Sequence, residues 1–194
     1  MMLSFVRVVS LVRRTAAPDF DIAPEVIRAD GSMGVVPPCF DAYVWVEPAD
    51  RAATLRAFLD AYVDQVRPGD SRFEAFVRTY VDESPHEGDR EALAELRRDD
   101  ALQVDDCFSL YLRARNHFDA IVTLTRDGAV VLGLSLDDPY GRPAVGKQAL
   151  KLAKALMAEL DAVAAMGGIE VPPPQSRQEW ADAARTEFRI GDVG

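Results

Sequence analysis

The sequence predicts an α+β domain, an antiparallel β-meander with helices packed mainly on one face. Three observations predict it. Residues 107–138 read as three apolar runs divided by turn signals at Asn116-His117 and Asp127-Gly128, and Asp-Gly between apolar runs is a strong hairpin signal. Apolar residues at three- and four-residue steps occur before and after this meander, so the helices flank the strands. The 194 residues are 48% apolar and 28% charged, ordinary proportions for one globular domain with a sizeable core.

The elements follow in order. "MMLSFVRVVSLVRR" is apolar, but Arg7 interrupts it and Arg13-Arg14 stand where a secretory signal would stay apolar. Residues 1–32 are therefore expected to be an N-terminal extension, either an edge element or a loose segment, and the chain is expected in the cytoplasm. The α+β domain itself is expected over 33–194. No run of 18 apolar residues suggests a membrane span. "FDAYVWV" (40–46) predicts a strand with Phe40, Ala42, Val44 and Val46 on one face. Leu55, Phe58, Leu59 and Tyr62/Val63 predict an amphipathic helix that ends near Pro68-Gly69. Phe73, Phe76, Val77 and Tyr80 again have helical spacing. After the polar break "DESPHEGD", a short charged helix over 90–99 carries Leu93 and Leu96.

Two-residue turns in the meander would align Leu112, Ile121 and Leu134 on the core face. The next rows would be Leu110, Thr123 and Leu132, then Phe108, Thr125 and Val130. Tyr111, Val122, Gly133, Ser109, Leu124 and Val131 would form the second face, apolar enough to need a partial cover. A long helix over 144–166 should lay Val145, Ala149, Leu152, Leu156, Leu160 and Val163 on the sheet, with Gly167-Gly168 ending it. "VPPP" cannot be helix interior. Ser176-x-x-Glu179 is a capping box, opening a last helix with Trp180, Ala184 and Phe188 on one face.

The net charge is −10, and residues 1–39 are neutral, so the excess lies in 40–194. Such a surface repels nucleic-acid phosphate and anionic lipid and suits a basic protein partner. Two Cys and two His are too few for a zinc site with the usual ligands. Asp105 and Asp106 should approach Asp127, but neighbouring surface acids seldom hold a divalent ion. No metal and no cofactor is expected. Cys107 reads as an inert thiol opening a buried strand.

"GRPAVGKQ" (141–148) has the spacing of a phosphate-binding loop. Gln148 stands where the Mg²⁺-binding hydroxyl belongs, Pro143 removes a loop N–H, and a meander strand precedes it. It reads as a turn into a helix. Lys147, Lys151 and Lys154 are the only lysines and share one helix stripe, a solvated face or an anion-contact stripe. The meander ends also gather Arg113, Arg115, His117, Asp137 and Asp138, a mixed-charge cluster of the kind that can support acid–base work and more commonly forms surface ion pairs.

"FDAYVWVEP", "VVLGLSLDDP" and "VPPPQSRQEW", with the layout, size and acidity of the chain, give it a resemblance to small bacterial α+β immunity proteins, which neutralise a toxin made by the same cell. The resemblance spans roughly residues 34–190 and carries no site residue across. It implies a non-catalytic protein-binding role. The acids available for a basic partner are Asp82, Glu83, Glu87, Asp99, Asp100, Asp105 and Asp106. The alternative is a small-molecule or nucleotide-binding enzyme using the Lys147 loop or the His117/Asp137 end of the sheet. A structural domain of a larger assembly is a third reading.

Overall fold

The computed structural model describes residues 25–27, 33–35, 38–97 and 107–194. The first two segments are strands β1 (Glu25–Ile27) and β2 (Met33–Val35), paired antiparallel as a unit of their own. The larger unit begins at Pro38. Its elements are β3 (Cys39–Val46), α1 (Arg51–Tyr62), α2 (Phe73–Tyr80), α3 (Asp89–Ala94), β4 (Phe108–Arg113), β5 (Asp119–Leu124), β6 (Val130–Asp137), α4 (Pro143–Leu160), β7 (Ala164–Ile169), α5 (Arg177–Asp182) and β8 (Phe188–Gly191). Six strands make one antiparallel sheet in the order β4-β5-β6-β3-β7-β8. The fold is α+β, as the sequence predicts.

β3 lies between β6 and β7, so both its edges are paired, and both its faces are buried. Phe40, Ala42, Val44 and Val46 join the large core with Leu55, Phe58 and Leu59 of α1, Phe73 and Phe76 of α2, Leu93 of α3, and Ala149, Ala153 and Leu156 of α4. Tyr43 and Trp45 face the other way, into a smaller core with Ile121, Val131, Met166, Val171 and Trp180. This is the cover that the apolar second face calls for. It is made by the chain after β7: the Trp45 and Trp180 rings meet edge to face at 5.4 Å, and the Tyr43 hydroxyl donates to the Val171 carbonyl at 2.8 Å.

Four local expectations need correction. The first is the register of β5. Arg113 pairs with Asp119 and Leu124 with Val130, so each turn is longer than two residues. At the second turn Thr125 N–H donates to Ala129 O, Gly128 N–H donates to Thr125 O, and Gly128 holds φ 79. That is a three-residue turn with its left-handed residue supplied by glycine. The two one-residue slips cancel between β4 and β6. Leu112 and Leu134 therefore still share a row, as do Leu110 and Leu132. β5 alone turns over. Ala120, Val122 and Leu124 face the helices, while Ile121 joins the second core. Thr123 also lies on that second side, its hydroxyl 2.9 Å from that of Ser109.

The second correction is the long helix. α4 stops at Leu160, with Asp161 left-handed at φ 51, and 164–169 is a strand paired with β3 and β8. Gly167 and Gly168 are strand residues. A Cβ on Gly167 would stand 2.6 Å from the Asp41 carbonyl oxygen, so the glycines permit close packing rather than end a helix. The third is the C-terminus. The Ser176 side chain accepts from Glu179 N–H, as a capping box should, but α5 ends at Asp182 and Phe188 belongs to β8. The charged helix is also shorter than 90–99, running Asp89–Ala94, with Leu93 and Leu96 both buried.

Candidate functional site

The described acids of the expected partner surface are Asp82, Glu83 and Glu87, all exposed on the turn between α2 and α3. Asp99, Asp100, Asp105 and Asp106 lie outside the described residues. The turn is closely tied down. Asp82 N–H donates to Val77 O at 2.9 Å and Ser84 N–H to Arg78 O at 2.8 Å. Beneath it, Arg78 makes two bonds to the buried Asp89, at 2.9 and 2.7 Å, and His86 N–H adds a third at 2.8 Å. The Arg78 guanidinium and that N–H hold the Asp89 carboxyl down at about 2. Asp82 also meets Arg56 at 2.9 Å. Glu83 holds φ 52, a left-handed conformation that a glutamate keeps only where its surroundings enforce it.

The mixed-charge cluster is divided. A cavity of about 370 Å³ is lined by Asn116, His117, Phe118, Leu136, Asp137, Arg142, Val145 and Gln148, so His117 and Asp137 do share a site. His117 Nδ1 is 2.8 Å from Asn116 O. A carbonyl only accepts, so Nδ1 carries the proton and Nε2 keeps its lone pair. Burial lowers the imidazole pKa and favours this neutral form. Asp138 is buried and accepts from Arg142 N–H at 2.9 Å, holding the turn before α4. Arg115 spends its Nε on Val63 O at 2.9 Å, and Arg113 does not line the cavity. Arg142, Val145 and Gln148 come from "GRPAVGKQ", and spacing alone did not connect them with His117.

From Pro143 onward that stretch is helix, so Gly146 and Lys147 lie within its first turns rather than in a loop that wraps an anion. Lys147, Lys151 and Lys154 are exposed and lie off the buried stripe of Val145, Ala149, Ala153 and Leu156. Asp127 accepts from Arg177 N–H at 2.6 Å. Among the described residues no group of three or more side chains is arranged to hold a metal ion. No described helix is long and apolar enough to cross a membrane.

One group was not visible to spacing arguments. Asp41 of β3 is 7% exposed and accepts from the Ser135 hydroxyl at 2.6 Å. Burial pushes its carboxyl up to about 7, and Asp119 and Glu170 push the same way. Burial raises Asp119 to about 6. Burial first, then Asp41, Asp119, Asp137 and Glu170, raises the Cys39 thiol to about 12. That thiol stays protonated at neutral pH and is a poor nucleophile. Cys107, fully buried before β4, points its thiol at Gln175.

The chain matches no protein-family model, no curated protein and no solved structure.

Proposed function

We propose that the protein is a non-catalytic binding module of immunity type, which neutralises a basic toxin in the cytoplasm. The observation that carries this reading is the ordered acidic turn. Residues 73–97 hold seven acids and three bases, and Asp82, Glu83 and Glu87 project from a turn anchored by Arg78–Asp89. An acidic surface held in one shape steers a basic protein into register and leaves little ordering to be done on contact. The same charge repels nucleic acid.

The test is co-expression with any product of a neighbouring gene that arrests growth. The expected result is restored growth with the wild-type chain, and loss of protection when Asp82, Glu83 and Glu87 are all changed to Lys. Failure to protect, or protection that survives the reversal, overturns the reading.

The cavity around His117, Asp137 and Arg142 favours a second reading, a site for a small polar molecule. Its nucleotide form is tested by calorimetric titration with ATP and GTP in the presence of Mg²⁺. Absence of heat at millimolar ligand removes that form.

A further inference from the structure

A second concavity lies on the opposite side of the sheet from the large helix-covered core, where the chain after β7 doubles back. It encloses about 520 Å³, within the range of pockets that hold a defined ligand group. Its walls are Val171, Pro172, Pro174, Ala183 and Ala184, and its rim carries Glu170, Gln178, Glu179, Asp182 and Arg185. Glu179 accepts from Gln175 N–H at 3.0 Å, which leaves Glu170 and Asp182 as the exposed acids. Asp182 accepts from Gln178 Nε2 at 2.7 Å through one oxygen only.

The walls are fixed before anything binds. Glu170 stands at φ 49, with its N–H on Cys39 O at 2.9 Å. Val171 O takes the Tyr43 hydroxyl. Three consecutive prolines stiffen the next stretch. Behind α5, Trp180 is buried against Trp45. The Arg189 guanidinium clamps Trp180 O and Ala183 O, both at 2.7 Å. A slot already in shape loses little entropy when filled.

Its chemistry selects one side-chain type. The walls want a flexible apolar stem, and the acids want a cation at its end. Lysine and arginine both have that form. A guanidinium presents a planar fork that can bond carboxylates with two parallel N–H groups, whereas an ammonium meets them as a point charge. We propose that this slot receives an arginine side chain of the protein partner. The proposal rests on the partner-binding reading above and adds an anchor to it, away from the acidic turn.

The test uses the ¹⁵N-labelled full chain and three small probes: N-acetyl-arginine, N-acetyl-lysine and N-acetyl-leucine methylamides. The arginine amide is expected to give saturable amide shifts at Val171, Gln178, Ala183 and Ala184. The lysine amide should bind more weakly by a factor of about three, and the leucine amide should leave these signals in place. Ala184→Phe, which fills the slot, should abolish the shifts. Glu170→Gln, at an exposed position, should weaken binding by about tenfold without repacking anything. Equal shifts with the leucine amide overturn the proposal, as does an arginine response that neither variant reduces. The two readings separate cleanly. Growth protection unchanged by Ala184→Phe, with no arginine response, removes the slot and leaves the binding module. A saturable arginine response in a chain that protects against no toxin removes the immunity reading and leaves the slot.

Discussion

Between about pH 4 and about pH 7, Asp41 carries a proton in the folded protein where an unfolded aspartate would be ionised. Its folded pKa is raised to about 7, so the stability it contributes is fully present below about pH 4 and is lost as pH rises through 7. An Asn at this position imitates the protonated acid, with one acceptor for Ser135 and no charge. Asp41→Asn is expected to match the wild type near pH 4 and to exceed it by about 4 kcal/mol at pH 8, since the rise to about 7 is about three pK units of about 1.4 kcal/mol each. Urea denaturation across that range checks it. A difference that does not change with pH would show that Asp41 is ionised in the fold. The alternation in "FDAYVWV" places Asp41 on the face opposite Phe40 and Ala42. The depth of its burial was not legible there, because it depends on Ser135 of β6 and on Val171 just past β7.

At the scale of elements, β3 and α1 were legible because periodicity and burial agree along a single segment. The capping box of α5 was legible because its two partners are three residues apart. The register of β5 was not, because Asp127-Gly128 names a turn without fixing its length. Two contacts from outside the hairpin set that length: Arg126 N–H donates to Gln175 O, and Asp127 accepts from Arg177 N–H. β7 was hidden for another reason. Its alanines are good helix formers and continue the pattern of α4, yet a strand of small residues is what the sheet needs there. The β5 register has a direct test. Val122 faces the large core and Thr123 bonds with Ser109, so Val122→Thr should cost about 1–3 kcal/mol. Thr123→Val should cost about 1 kcal/mol. Thermal denaturation decides between them, and the reverse order would restore the two-residue turns. The candidate site was legible only in part. Sequence places His117 and Asp137 at one end of the sheet, but Arg142 and Gln148 reach them only through the turn held by Asp138.

For the whole molecule, two opposing titrations set the best pH. Asp89 is held at about 2, so the stability it contributes is present above about pH 4 and is lost as pH falls through 2. Asp41 and Asp119 act in the other direction, at about 7 and about 6. The net charge of −10 at neutral pH adds self-repulsion on that same side. The melting temperature at constant ionic strength should therefore peak between about pH 4 and 5, below the usual range. A steady rise up to pH 7 would contradict this. The fold class was legible at this scale because composition and the order of elements determine it. The His117 cavity was not, since it joins the turn before β5 to the start of α4, and the slot over 170–185, though local in sequence, takes its shape only when Trp180 packs on Trp45.

The central place of β3 has a consequence for synthesis. β3 leaves the ribosome before β6 and β7, the two strands that flank it. Until both have been made, a ribbon bearing Phe40, Tyr43 and Trp45 has two unsatisfied edges. Helices α1 to α3 can shelter one of its faces early. The edges must wait for partners from much later in the chain, and such non-local pairing is slow. The nascent chain thus carries an unpaired apolar strand, the kind most prone to aggregate, through the interval in which its middle strand has no neighbours.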